Sequence, residues 1–401
     1  MIGGPMKTTS RLAMIAAAGT LFGIAAHPAQ AADIAAAGSS CCSDLEERVA
    51  ELEATTARKG NRVVSLQVYG QVNKALLLFD DGVESDAFIV DNDQSGSRIG
   101  VTGKANIKPG WTAGYTLEFD FQDSASDTVS QGDDEGNANE IAIRHNFLFI
   151  ESERYGRISL GQQSSAADGI AEIVIGNSLT DSSEILSSFR VKNGAGADSG
   201  FNIGNFVDNL DGPREDVIRY DTPSIYGFIV SASWGDNDYA DITLRFKKEF
   251  NSFRLAAGIG YQWDEREAVG REILLGSASA QHIPSGLFVA FSAGNVEFDD
   301  GAEDGSFYYV QLGIERRVLP YGATTVYADY GSYDGVGGAV DLGGGNVADG
   351  LEAERFGFGI VQKFDSAALE VYAQARYYSF DDNAQQLEDF SSVLIGSRLK
   401  F

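Results

Sequence analysis

The fold of this chain can be predicted from the stretch Trp111-Thr112-Ala113-Gly114-Tyr115-Thr116-Leu117-Glu118-Phe119-Asp120-Phe121-Gln122. Its odd positions are apolar or aromatic, and its even positions are polar or glycine. Because successive side chains of a β-strand point to opposite faces, this alternation gives the strand two faces that meet different surroundings. The stretch is therefore predicted to be a strand with one apolar and one polar face.

The same alternation continues from residue 64 to the C-terminus and divides the chain into candidate strands. Most of them have ten to twelve residues, close to the roughly 9–11 residues with which a tilted strand crosses a membrane. The sixteen candidates are 64–79, 97–107, 111–122, 141–152, 157–163, 215–223, 227–235, 239–248, 253–263, 271–282, 287–296, 305–317, 323–333, 354–364, 368–379 and 389–401.

The connections between these strands alternate in length. Every second one is a turn of three to five residues, and most of the others are longer loops, from 80–96 to the 51 residues of 164–214. Short turns at one rim and long loops at the other are typical of outer-membrane barrels. The short connection 236–238 is an exception on the long-loop side. We predict an all-β fold, a sixteen-stranded antiparallel transmembrane β-barrel.

A soluble β-sandwich or propeller is the alternative for so many strands. The polar face argues against it, because Arg98 and Lys104 lie opposite Glu118 and Asp120 in the strand meander. Opposed charges of this kind suit a closed, water-filled interior. The 47 Gly, 24 Phe and 16 Tyr agree with a sheet-rich protein that has many turns and aromatic girdles.

The composition also excludes several classes of function. A net charge of −28 argues against a nucleic-acid partner, because binding a phosphate backbone relies on clustered Lys and Arg. The two Cys are adjacent, at 41 and 42, and His145 and His282 lie on different strands. We therefore predict no enzyme, no cofactor and no metal site. Alternation places His145 on the outward face, together with Phe147 and Phe149.

The N-terminal part differs from the rest. Lys7 and Arg11 precede an apolar run over 12–26, and Ala29-Gln30-Ala31 has the form of a secretory cleavage site, so residues 1–31 are predicted to be a signal peptide. Residues 32–60 are predicted to be a flexible lead and a short amphipathic, coiled-coil-like helix over 43–59, which either packs on the barrel or joins two other copies. Residues 61–401 are predicted to be the barrel domain.

Several motifs occur in order along the barrel region. They are Val68-Tyr69-Gly70-Gln71-Val72, Ser97-Arg98-Ile99-Gly100-Val101-Thr102-Gly103, Gly156-Arg157-Ile158-Ser159-Leu160-Gly161-Gln162-Gln163, Val217-Ile218-Arg219-Tyr220-Asp221-Thr222-Pro223 and the terminal Phe401. With these motifs the chain resembles the trimeric general porins of Gram-negative bacteria, in particular their alphaproteobacterial branch. The resemblance covers about residues 64–401.

The resemblance implies that loop 164–214 folds inward and narrows the pore, placing acids opposite a basic wall. The implied loop acids are Asp168, Glu172, Asp181 and Glu184. The implied wall bases are Arg98, Arg144 and Arg219, and alternation adds Arg157, Arg376 and Arg398 on the inward face. It further implies a homotrimer in contact with outer-membrane lipids and lipopolysaccharide, and a terminal Phe401 read by the outer-membrane assembly machinery.

The predicted function is passive diffusion of small hydrophilic solutes and ions through a water-filled channel in the outer membrane. Two alternatives stay open. A solute-specific channel would use the predicted lumen-facing tyrosines Tyr309, Tyr327, Tyr372 and Tyr378 as a stacking track. A structural protein would tether the envelope through the helix at 43–59.

Overall fold

The fold is seen in a computed structural model of the chain. The structure describes residues 64–136, 141–176, 186–236, 238–266, 269–299, 301–343 and 346–401. The predicted signal peptide, the predicted helix at 43–59 and the two cysteines lie outside the described residues. No helix among the described residues is both long and apolar enough to cross a membrane.

The described residues form 21 strands and three short 3-10 helices, at Asp93–Ser95, Ile203–Asn205 and Asp365–Ala367. The strands are β1 (Gln67–Asp80), β2 (Ser85–Asp91), β3 (Arg98–Lys108), β4 (Trp111–Asp120), β5 (Ala142–Ser152), β6 (Gly156–Ser164), β7 (Arg190–Lys192), β8 (Asp198–Asn202), β9 (Arg214–Asp221), β10 (Phe228–Gly235), β11 (Tyr239–Phe250), β12 (Phe253–Asp264), β13 (Arg271–His282), β14 (Leu287–Phe298), β15 (Gly305–Leu319), β16 (Gly322–Asp334), β17 (Val340–Gly343), β18 (Asn346–Ala348), β19 (Glu352–Phe364), β20 (Leu369–Asp381) and β21 (Phe390–Lys400).

Sixteen of these strands close into a barrel, and the short strands β2, β7, β8, β17 and β18 belong to its loops. Each barrel strand pairs antiparallel with the next one along the chain. β1 also pairs with β21, where Val72 lies opposite Leu399, so the sheet has no free barrel edge at the chain ends. The predicted antiparallel barrel is confirmed.

The two faces of the barrel strands differ as the alternation predicts. On β14, Leu287, Val289 and Phe291 are 56%, 40% and 50% exposed, whereas Phe288 and Ala290 between them are buried. The exposed apolar side chains form the face that a membrane would cover. The buried ones face the interior, where loops pack against them.

Glycines let aromatic rings lie flat on the inner wall. A Cβ on Gly100 would stand 2.3 Å from Cζ of Tyr69, and a Cβ on Gly359 would stand 2.2 Å from Cζ of Tyr327. Each ring therefore occupies the space that a side chain on the neighbouring strand would need. Part of the glycine excess belongs to these cross-strand contacts.

The predicted loop 80–96 contains a short strand that the sequence analysis did not predict. The stretch 80–96 is not a single loop, because β2 folds back on β1 and pairs Asp91 with Lys74. The chain reverses between Asp80 and Ser85. The acidic residues of this stretch made the short strand β2 hard to recognise in the sequence. The exceptional connection 236–238, by contrast, is correct, since β10 ends at Gly235 and β11 begins at Tyr239.

Candidate functional site

The connection between β6 and β9 folds into the barrel. We call residues 165–213 the inner loop; the structure describes 165–176 and 186–213 of it. Ala166, Ala167 and Ile170 are completely buried against the barrel wall. The later part carries the hairpin β7–β8 and the buried residues Phe189, Phe201 and Phe206, which belong to the apolar core.

Side chains of the barrel hold the first residues of the inner loop by their backbone. Ala166 N–H donates to Ser233 Oγ at 3.0 Å, and Ala167 N–H donates to Asp241 Oδ2 at 2.7 Å. The guanidinium of Arg245 donates to the carbonyl oxygen of Asp168 at 2.6 Å. Since buried backbone groups must find partners, these contacts fix where the loop leaves the wall.

The loop next crosses β13 on two serines. Ile173 N–H donates to Ser277 Oγ at 3.3 Å, and Ile175 N–H donates to Ser279 Oγ at 3.0 Å. Ser277 Oγ in turn donates to the carbonyl oxygen of Ile170. Residues 165–175 therefore run across the inner wall from β10 to β13.

Replacing Asp241 by Ala is expected to loosen the start of the inner loop. The Asp241 carboxylate is 2% exposed and also accepts hydrogen bonds from Ser233 N–H and Tyr239 Oη–H. Leaving such buried donors without an acceptor costs about 1–3 kcal/mol for each group. Single-channel recordings should show larger current fluctuations than in the unchanged protein.

Thr243→Val is the matched control for this change. Thr243 is buried on the same strand, and its Oγ1 has no hydrogen-bond partner among the described residues. Its replacement should leave the current as quiet as before. Equal fluctuations in both variants would contradict the anchoring role of Asp241.

Charged side chains of β3, β4 and β5 meet on the wall beside the inner loop. Arg144 Nε lies 3.0 Å from Glu118 Oε1, and its Nη1 lies 3.3 Å from Asp120 Oδ2. Arg98 Nε lies 3.9 Å from the same Glu118 oxygen. Both arginines are partly exposed, so this cluster can act on ions that pass it.

A further ion pair joins the inner loop to the barrel wall near this cluster. Asp168 Oδ2 lies 3.3 Å from Arg214 Nε at the start of β9. Arg214 lines a cavity of about 440 Å³ together with Arg98, Arg144, Glu118, His145, Tyr69 and Lys400. Carboxylates and guanidinium groups thus surround one open space.

A β-bulge decides which residues of β5 reach this cavity. Glu118 pairs with His145 and Phe119 pairs with Ile143, so Arg144 is an extra residue in the ladder. The prediction that His145, Phe147 and Phe149 face outward is wrong, because one inserted residue reverses the alternation that follows it.

The contacts of these residues agree with an inward direction. His145 Nε2 lies 3.9 Å from Glu118 Oε1, and Phe149 is only 2% exposed. Leu148, between the phenylalanines, is 55% exposed on the outer face. The Arg157 guanidinium carbon lies 3.9 Å from the centre of the Phe149 ring.

The other predicted site residues lie in different surroundings. The guanidinium of Arg219 donates hydrogen bonds to the carboxylate of Asp221. Its Nη1 also donates to the carbonyl oxygen of Ser165 at 2.7 Å, so Arg219 holds the start of the inner loop. Glu172 Oε1 accepts a hydrogen bond from Asn209 Nδ2 at 2.9 Å. Asp181 and Glu184 lie outside the described residues.

Two basic residues of the site were missed in the sequence. Arg214 follows Pro213 directly and was assigned to the loop instead of the strand. Arg245 stands on the inward face of β11 in alternation with Asp241 and Thr243, which are buried. That alternation in the sequence was enough to predict that Arg245 faces inward.

The four tyrosines of the predicted stacking track do not face open water. They are 1–2% exposed and belong to a buried cluster that the inner loop completes with Phe189, Phe201 and Phe206. Arg376 is 2% exposed, and Arg398 pairs with Glu370. Both arginines are therefore buried and do not lie open to the passage.

A contact between two loops is made by the backbone of an acid whose carboxyl has a raised pKa. The carbonyl oxygen of Asp127, in the β4–β5 loop, accepts hydrogen bonds from Ser187 Oγ and Ser188 N–H, both at 3.1 Å. Burial, followed by the charge of the nearby Asp93, raises the pKa of the Asp127 carboxyl to about 7.

This shift predicts a pH-dependent contact. A carboxyl whose pKa is higher in the folded state contributes its full stability below its usual pKa of 3.8 and loses it as the pH rises through about 7. The Ser188 amide should therefore be less protected from hydrogen exchange at pH 8 than at pH 5, after correction for intrinsic rates. In Asp127→Asn the protection of the Ser188 amide should be the same at pH 5 and pH 8. If this variant keeps the pH dependence of the unchanged protein, the role of Asp127 is refuted.

Comparisons with known proteins agree with this architecture. A family model for Gram-negative porins matches residues 13–383. The anion-selective porin from Comamonas acidovorans has a TM-score of 0.58 at 15% identity, over 84% of this chain and 100% of that chain. The trimer form of OmpT of Vibrio cholerae has a TM-score of 0.53 at 15% identity, over 84% and 100%.

The outer membrane channel DcaP of Acinetobacter baumannii has a TM-score of 0.53 at 13% identity, over 86% of this chain and 100% of that chain. At such low identities these likenesses show the fold alone. The comparison with curated proteins gives no match. The family model, however, spans most of the sequence, and its match together with the closed barrel means that the chain belongs to the Gram-negative porin family.

Proposed function

We propose that the protein is an outer-membrane porin through which small hydrophilic solutes and ions diffuse passively. The observation that carries this proposal is the inner loop, which barrel side chains hold against the inner wall beside an open, charged cavity. A water-filled passage with polar walls admits solutes by size and charge, and no bond has to form or break.

The narrowest part of the passage is proposed to lie between the wall cluster and the inner loop. Arg98, Arg144 and Glu118 stand on the wall, and Arg214, which lines the same cavity, pairs with Asp168 of the inner loop. Opposed charges across a narrow aqueous passage create a transverse field, which orders water and disfavours apolar solutes. Asp181 and Glu184 stay proposed acids of this constriction, with Arg157 and Arg219 as supporting bases and Glu172 as a further loop acid.

Liposome swelling tests the proposal directly. Vesicles that contain the purified protein should swell in isosmotic solutions of small sugars, at rates that fall steeply as the sugars become larger. Vesicles without protein give the background rate. Swelling at background rate for every sugar would overturn the proposal.

We further propose that three copies assemble, as the trimer form of the Vibrio cholerae protein does. Lys74 supports this assembly, because it lies between Val72 and Leu76, both exposed on the outer face. A charge among lipid tails is costly. Lys74 pairs with Asp91 at 3.2 Å and with Asp123, which suits a protein interface better than lipid. Native mass spectrometry should give the mass of three chains.

Three finer points rest on the sequence motifs. We place the chain in the alphaproteobacterial branch of the porins on Ser97–Gly103 and its companion motifs, and a phylogeny would test this placement. Phe401 is the proposed signal for the outer-membrane assembly machinery. Outer-membrane lipids and lipopolysaccharide are the proposed surroundings of the apolar outer face.

A further inference from the structure

A second cavity of the barrel lies beside the inner loop. It has a volume of about 880 Å³ between residues 169–175 and strands β10 to β12. We call it the lateral niche. Its lining includes the side chains of Glu172, Ile173, Val174, Ile175, Arg245, Lys247, Glu249 and Arg254.

One side of the lateral niche is aliphatic. Ile173, Val174 and Ile175 follow one another in the inner loop, and each is only half-buried. Ile173 rests on Gly258, where a Cβ would stand 2.7 Å from its Cδ1. Three consecutive aliphatic side chains that stay partly exposed in a hydrophilic passage offer an apolar surface to a solute.

The other side of the lateral niche is cationic. Arg245 donates to the carbonyl oxygen of Asp168, and neither Arg245 nor Lys247 forms an ion pair with any carboxylate of the described residues. Arg254, by contrast, already has two partners. Its Nε lies 3.2 Å from Glu249 Oε2, and its Nη1 donates to Gln281 Oε1 at 3.1 Å.

Two carboxylates, Glu172 and Glu249, also line the lateral niche, and both have partners of their own. Glu249 pairs with Arg254, and Glu172 accepts the hydrogen bond from Asn209. With four cations, Arg245, Lys247, Lys248 and Arg254, against two carboxylates, the lateral niche has a formal excess of two positive charges. A cationic wall next to an aliphatic strip matches a solute that has both an anionic and an apolar end.

We propose that the lateral niche binds organic monocarboxylates with a short apolar body as they pass through the channel. This inference rests on the proposed porin function. The carboxylate lies against Lys247 and Arg245, and the apolar body lies against Ile173 and Ile175. Small, fully hydrophilic anions contact only the cationic side of the lateral niche and therefore bind more weakly.

Open-channel current in a planar bilayer tests the inference, with hexanoate, acetate and hexylammonium as probes. Hexanoate should reduce the KCl current in a saturable way. Acetate should need a concentration roughly tenfold higher, since half-burial of four methylenes is worth about that factor. Hexylammonium carries the same apolar body with the opposite charge and should not reduce the current.

Variants separate the two halves of the surface. Lys247→Gln should weaken the hexanoate effect, and the double change Ile173→Thr with Ile175→Thr should bring hexanoate close to acetate. Arg317→Gln, an exposed cation outside the lateral niche, should leave the hexanoate effect unchanged. If hexanoate and acetate reduce an otherwise normal KCl current equally, the lateral niche does not bind monocarboxylates as proposed, and the porin function is unaffected. If there is no KCl current, the porin function itself is refuted.

Discussion

Replacing Arg144 by Glu is expected to raise the ratio of cation to anion permeability by about fivefold, as measured by the reversal potential in a KCl gradient. Arg144 lies 3.0 Å from Glu118 and 3.3 Å from Asp120, so it is the base closest to both wall carboxylates. The change removes one positive charge and adds one negative charge beside the passage. A unit charge in water contributes about 0.5 kcal/mol to the energy of an ion at about 8 Å, so the two-unit change contributes about 1 kcal/mol, which corresponds to this factor.

The matched control is Arg317→Glu, which changes the net charge of the protein by the same amount. Arg317 is 64% exposed in its side chain and pairs with Asp365 near a turn. Solvent and salt screen such a charge, so the permeability ratio should change little. Arg144→Gln removes only the positive charge and should give a smaller shift in the same direction. Equal shifts for Arg144→Glu and Arg317→Glu would contradict a constriction at Arg144.

Replacing Arg355 by Ala is expected to destabilise the barrel by about 3–5 kcal/mol, because it removes one member of a buried ion pair. The side chains of Arg355 and Asp329 are fully buried, with Nε and Oδ1 3.8 Å apart. The guanidinium also lies over the rings of Tyr309 and Tyr333, at 5.1 and 5.6 Å from their centres. Urea unfolding of the protein in lipid vesicles measures the loss.

Arg317→Ala again provides the control, now for stability. Its exposed ion pair with Asp365 should be worth about 0–1 kcal/mol. Arg355→Met preserves more of the side-chain volume and separates the loss of charge from the loss of packing. If Arg355→Ala costs no more than Arg317→Ala, the interior cluster does not hold the barrel together.

The strands could be predicted from the sequence because each one has two faces in different surroundings. The prediction of 253–263 corresponds to Phe253–Asp264, and that of 271–282 coincides with Arg271–His282. The short strand Ser85–Asp91 escaped prediction because Asp86 and Asp91 make it look like a loop.

The site was harder to predict, since it depends on contacts that have no local pattern. The bulge at Arg144 shifts His145 to the lumen, and only the pairing with Glu118 reveals it. Arg219 was correctly predicted to face inward, but the carbonyl oxygens that it binds belong to the folded inner loop. Tertiary packing also buries Tyr372, which alternation alone places toward the lumen.

If the barrel encloses an open aqueous passage that the inner loop narrows, the purified protein must conduct ions across a planar lipid bilayer. Purified protein should insert in discrete steps, and the current in each open channel should be proportional to voltage and to the conductivity of the bathing salt. A membrane that contains correctly folded protein and shows no conductance steps would contradict the account.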